Sequence, residues 1–175
     1  MNKLFLYLVI VINLVFITSC SIGGDRATML NDSNDEEKSN NRLEQILNLI
    51  VSKDEEGLKG VFSLRALEED NDFDSEIEYL FELFQGEDIA WELLTGPQVS
   101  ETNDYGSKTK EVKTWYKVET ERNTYIAFIL EYTEDTEHPE NLGVYALRIV
   151  KEEDKDTQMT YWQDMVIPGI YMPEE

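Results

Sequence analysis

The feature that most constrains this chain is a change of hydrophobic period near Ile89. Before it, apolar residues recur every three or four positions; after it, they alternate. Leu43, Ile46, Leu47, Ile50 and Val51 form one apolar stripe with Arg42, Glu44, Gln45 and Asn48 opposite, which predicts a helix with a buried face. Ser52-Lys53-Asp54-Glu55 reads as a capping box that starts a second short helix carrying Leu58, Val61 and Phe62. After a turn over 63–67, a third helix carries Ile77, Leu80, Phe81 and Phe84 to a stop at Gly86. Beyond Ile89 short strands are expected over 89–94 and 98–102, separated by Gly96-Pro97, then a turn at Asp104-Tyr105-Gly106-Ser107. Long strands follow over 110–121, 124–133 and the apolar run 142–150, with a last strand over 158–166. Helices first and long antiparallel strands afterwards define an α+β domain, with the helices packed on one face of a curved antiparallel sheet.

The N-terminus carries a different signal. Lys3 precedes the apolar run Leu4 to Ile17, whose only clearly polar member is Asn13. A bilayer-spanning helix needs about 20 apolar residues, so the run is short for a permanent span and suits a signal peptide. The row Ile17-Thr18-Ser19-Cys20 resembles the bacterial lipoprotein signal, an aliphatic residue and two small ones before a cysteine. That resemblance implies that 1–19 is a signal peptide, that Cys20 is acylated on sulfur, and that the remainder works at the extracytoplasmic face of the cell membrane, held by its lipid. Each buried methylene contributes about 0.8 kcal/mol, so one acyl chain holds marginally and two hold firmly. The residues 20–41, the lipidated Cys20 and a Ser, Gly, Asn, Asp and Glu-rich stretch, read as a flexible tether with a coil reach of about 25 Å. The folded domain is then 42–175.

Charge narrows the partners. The chain has 37 acidic and 15 basic residues, a formal charge of −22 that becomes one unit more negative when the signal and its Lys3 are removed. Phosphate backbones demand a basic footprint, so no nucleic acid is expected as partner. Anionic headgroups repel such a body, which leaves membrane attachment to the lipid. With Cys20 the sole cysteine and His138 the sole histidine, a Cys-His pair, an internal disulfide and a Cys- or His-rich zinc site are all excluded by counting. His138, before Pro139 in an acidic run, reads as a surface histidine. The acidic stretches 32–37 and 68–74 lack the glycine and terminal acidic ligand of a calcium loop, so neither metal nor cofactor is expected. The scattered glycines cradle no phosphate.

A fuller resemblance rests on Leu58-Lys59-Gly60-Val61-Phe62-Ser63, on Phe84-Gln85-Gly86 and on the three long strands after them. This pattern is similar to the cystatin-like cone of the nuclear-transport-factor-2-like superfamily. Together with the lipoprotein signal, Trp162-Gln163-Asp164 and Gly169-Ile170-Tyr171-Met172-Pro173, it resembles a family of uncharacterised Gram-positive lipoproteins with a domain of unknown function. That family has no catalytic residue to carry over. The cone, however, implies a pocket between sheet and helices, where some relatives isomerise steroids with Asp and Tyr. The candidate inward set is Tyr116, Phe128, Tyr132 and Trp162. Arg148 stands as an anomalous charge in an apolar strand, either clamping an anionic group or pairing with Asp164 or Glu131. On the opposite face Trp115, Tyr125 and Tyr161 offer an apolar patch of the kind that marks a partner or homodimer surface.

Three function classes follow. The first is a lipid-anchored binding or interaction module without catalysis, engaging a small ligand or an envelope protein. The second is a small-molecule isomerase or dehydratase, which needs a pocket acid of raised pKa beside a tyrosine. The third is a homodimeric structural protein of the envelope.

Overall fold

The computed structural model describes residues 22–160 and 165–173. The chain divides into two compact units, Met1–Asp35 and Glu36–Glu175, and the architecture below is that of the second. The signal 1–19, Cys20, Tyr161, Trp162 and Asp164 lie outside the described residues.

The first helix, α1, runs Ile22–Ser52, so the flexible tether expected over 20–41 is instead helical from Ile22. The polar composition there suggests a linker, yet Glu36, Glu37, Lys38, Arg42 and Glu44 are good helix formers, and within the second unit Ser39 is buried and Asn40 accepts a hydrogen bond from the Tyr116 hydroxyl. The periodic face is buried as expected except at its last member, Val51, which is 39 % exposed. Leu43, Ile46, Leu47 and Ile50 are buried, each removing about 1.5–3 kcal/mol of apolar side chain from water. The helix ends where Lys53 turns left-handed (φ 53°), the Lys53 N–H reaching the Ile50 carbonyl (3.1 Å) and the Asp54 N–H the Leu49 carbonyl (3.0 Å). Ser52 is therefore not the cap of the next helix. Its hydroxyl donates back to Asn48 O, and Asp54 caps α2 (Glu55–Lys59) by accepting the Gly57 N–H.

The stretch read as a turn over 63–67 is a further short helix, α3 (Leu64–Glu69), because Ser63 accepts the Ala66 N–H as its N-cap. Helix α4 (Phe73–Leu83) buries Phe73, Ile77 and Leu80, and Asp74 and Glu76 occupy its first turn.

The sheet has five strands in the order β1-β2-β3-β4-β5. Strand β1 (Ala90–Asp104) is one strand rather than two, since register shifts around the cis Gly96-Pro97 bond absorb the break. The turn at Tyr105-Gly106, both at positive φ, joins it tightly to β2 (Ser107–Glu119). Antiparallel β3 (Thr124–Asp135) and β4 (Gly143–Lys151) follow. Of the last strand expected over 158–166, the described residues 158–160 and 165–166 are not strand. Lys155–Gln158 is a short helix, α5, and the closing strand is β5 (Gly169–Ile170), parallel to β4. The polar run 152–158 lacks the alternation a strand needs, whereas Gly169-Ile170 can reach the free edge of β4.

The larger core lies between helices and sheet, where Tyr116, Val118, Tyr125, Ala127, Ile129, Leu147 and Ile149 meet α1 and α4. A smaller core of Phe128, Leu130, Ala146 and Met165 covers the other face. Strand β3 is thus buried on both sides. Among the described residues, no helix is long and apolar enough to cross a membrane.

Candidate functional site

The register decides what becomes of the expected pocket. Tyr116 pairs with Ala127, and Trp115 pairs with Phe128, which in turn pairs with Arg148. Tyr116 therefore faces the helices, while Phe128 and Arg148 lie on the opposite face of the sheet. The expected inward set is split because β3 is apolar at nearly every position, so alternation alone cannot say which half of it meets the helices.

The space expected to hold a pocket, between helices and sheet, is occupied by side chains. Tyr116 is 0 % exposed and packs edge-on against Trp91 at 5.7 Å between ring centroids. Its phenol is pushed up to about 12, chiefly by burial. Tyr125, expected on an outer patch with Trp115, is also 0 % exposed and stacks on Phe84 at 4.7 Å. Trp115 is half-buried on the other face, 4.7 Å from the Phe128 ring. Tyr132, expected inward with Tyr116, packs instead against the second core with Phe128: a bulge sets it opposite Gly143, and its ring meets Tyr145 at 5.9 Å. Glu131, one proposed partner of Arg148, pairs with Arg42 at 2.6 Å and ties β3 to α1. Arg148 itself is buried, its guanidinium donating to the carbonyls of Met165 (3.4 Å) and Ile167 (3.3 Å) and lying 4.8 Å from the Tyr171 ring centroid. His138 is at the surface with Nδ1 3.0 Å from Glu140 Oε1. Among the described residues, no group of three or more His, Cys, Asp or Glu side chains is arranged to hold a metal ion.

What stays open is a groove of about 760 Å³ at one end of the domain. The end of α1 supplies Ile50, Val51 and Lys53, the end of α4 supplies Phe81, Glu82 and Phe84, and the turn after it adds Gly86, Glu87 and Asp88. Glu121 and Arg122 of the β2–β3 hairpin close the far wall. Its lining is more polar than apolar: Ile50, Val51, Phe81 and Phe84 are its apolar members, and Glu82, Glu87, Asp88 and Glu121 outnumber Lys53 and Arg122. The Glu121 carboxyl is held below the usual range, first by its own backbone N–H and then by those of Glu87 and Asp88.

The groove is built by polar pins. The Tyr125 hydroxyl donates to the Leu83 carbonyl (3.1 Å) and accepts the Gln85 N–H (2.8 Å), fastening the end of α4 to β3. Thr120 donates to the Gln85 carbonyl (2.8 Å). Gly86 has φ 105°, and a Cβ there would come within 2.6 Å of both Glu121 and Thr120, so glycine is required for the turn to approach the hairpin. None of these residues carries a motif. The one sequence signal for the groove is the Phe84-Gln85-Gly86 helix stop.

A second unusual place is the carboxyl pair of Asp70 and Glu76, between α3 and α4. Glu76 Oε2 accepts the Ile170 N–H at 2.8 Å, and its carboxyl is pushed up to about 8 by burial first and by Asp70 next. An isomerase needs such an acid in an open pocket beside a tyrosine; here it is committed to the backbone of β5.

Helices closing a curved five-stranded sheet, with an interior filled by its own aromatics, define a small α+β domain. The chain belongs to the family described as Domain of unknown function (DUF5104), whose model matches residues 45–152. No curated protein matches it.

Proposed function

We propose that this chain is a lipid-anchored extracytoplasmic interaction module, and that its groove takes a basic, apolar-tipped segment of an envelope protein. The reading of address rests on the Leu4 to Ile17 run and the Ile17-Thr18-Ser19-Cys20 row, which suit a Gram-positive lipoprotein. The order of helices and sheet suits the nuclear-transport-factor-2-like cone. The observation that carries the function is the contrast between an interior filled by Tyr116 and Tyr125 and an open groove lined by four acids beside Val51 and Phe81. The excess of acids selects for Lys or Arg, and the apolar lining residues take an aliphatic or aromatic side chain beside it. The homodimer reading loses the middle of its patch with Tyr125 buried.

The test is binding of a fluorescent Lys- and Leu-containing peptide to the full chain in detergent, with the acidic-rim variant Glu82→Lys/Glu87→Lys beside it. Micromolar binding that weakens with salt and is lost in the variant supports the reading. Binding that survives the variant, or no binding at low salt, rejects it. Radiolabelled palmitate incorporation that disappears in Cys20→Ala tests the anchor separately.

A further inference from the structure

The segment Met165–Tyr171 is held by apolar and polar attachments together: Met165 packs on the second core, while Ile170, 1 % exposed, joins the larger core between helices and sheet. Arg148 reaches from beneath it to two of its carbonyls, those of Met165 and Ile167, and underlies the Tyr171 ring. The Tyr171 N–H donates to the Leu147 carbonyl at 2.9 Å, and the Ile170 N–H donates to Glu76 Oε2 at 2.8 Å. Met165 is the side chain that this segment lays on Phe128, Leu130 and Ala146. At the far end, Gly169 (φ 90°) leaves no room for a Cβ, because the Asp70 carboxylate occupies that space with Glu76 Oε2 3.0 Å from the same point.

Asp70 and Glu76 thus meet over the backbone of Gly169. Asp70 Oδ1 is satisfied by the Asp72 N–H at 2.8 Å. Asp70 Oδ2 is buried and has no hydrogen-bond donor among the described residues. Two ionised carboxylates in this position would put like charges together and leave that oxygen orphaned. One proton between the two carboxyls removes both costs, and Glu76 Oε2 still accepts the Ile170 N–H. The other titratable or charged groups facing the pair are Arg148 from β4, whose charge favours the ionised form of Glu76, and Tyr171 from the segment itself. Tyr79, one turn further along α4, is influenced by Tyr171 and Asp154.

We propose that Met165–Tyr171 is a proton-dependent strap, closed over the second core while a single proton is shared between Asp70 and Glu76 and loosened when that proton is lost. The proton is held in the closed form and released in the open form, so closure is tightest in acid. The opening constant rises about tenfold per pH unit, from about pH 5 until the closed form itself ionises near pH 8.

Amide hydrogen exchange of the full chain in detergent, corrected for intrinsic exchange, tests this. Protection of the Ile170 and Tyr171 amides should fall about tenfold per pH unit from about pH 5 to about pH 8 and then level off, while the Ala127 and Ile129 amides in β3 stay constant. Glu76→Gln, whose amide donates to Asp70 and whose carbonyl accepts from Ile170 without titrating, should keep the strap protected at every pH. Flat protection in the wild type, or an unchanged slope in Glu76→Gln, overturns the proposal. If that variant does not fold, the wild-type infrared spectrum decides: a protonated carboxyl band at about pH 7 supports the shared proton, and its absence overturns it.

Discussion

The two faces of the sheet are covered by different physics. On the helix side, Leu43, Ile46, Leu47, Ile77 and Leu80 close over Tyr116, Tyr125 and Ile129, an apolar seal. On the other side, one short segment lays Met165 on Phe128, Leu130 and Ala146 and is fastened by hydrogen bonds from Arg148, while its Ile170 is buried in the helix-side core and donates to Glu76. Apolar burial is insensitive to pH, whereas a fastening that shares a proton is not. The first face is therefore a fixed scaffold, and the groove stands on it. The second is conditional.

Perturbing each face should separate them. The largest effect is expected on the helix side: Leu47→Ala, at a site 2 % exposed, removes buried methylenes and should cost about 3 kcal/mol in urea denaturation without altering the pH dependence of stability. Arg148→Met leaves the Met165 and Ile167 carbonyls without their donor, and should cost about 2 kcal/mol while raising dye binding to the uncovered Phe128 and Leu130. The wild type should lose up to about 1.4 kcal/mol of stability per pH unit as pH rises from about pH 5 to about pH 8. The sign follows from Glu76: its folded pKa is near 8 and its unfolded pKa about 4.3, so its contribution is complete below the lower value, lost through the window between them and flat above. Glu76→Gln should abolish that slope.

The two smallest effects concern the groove. Tyr125→Phe keeps the stacking on Phe84 but removes the bonds to Leu83 and Gln85, costing about 1 kcal/mol and loosening the end of α4. Lys53→Gly relieves the left-handed conformation and should gain a little under about 1 kcal/mol, measurable as a raised urea midpoint, while changing peptide affinity at the groove.

The α+β order was legible because the period changes once, near Ile89, and because strands such as β2 bury every second residue. The domain-of-unknown-function resemblance was legible too. What was not legible has a common cause. Where both faces of a strand are buried, as in β3, alternation disappears, and Tyr116 was grouped with Phe128 although the register sends them to opposite faces. Where a helix is polar, as at Glu36 to Asn41, composition resembles that of a linker. The candidate site suffered most. The groove is made from element ends and backbone carbonyls, and the carboxyl pair from Asp70 and Glu76 with a strand almost a hundred residues on, 94 positions separating Glu76 from Ile170. Neither arrangement leaves a local motif.

We propose that recognition occurs at the groove and not in the filled interior between helices and sheet. The most direct measurement is side-chain NMR of the full chain in detergent, titrated with the Lys- and Leu-containing peptide. The account predicts shifts confined to Ile50, Val51, Phe81 and Phe84 and to the rim at Glu121, with the resonances of Tyr116 and Ile129 unmoved. Shifts at Tyr116 and Ile129, or on the Trp115 face, would contradict it.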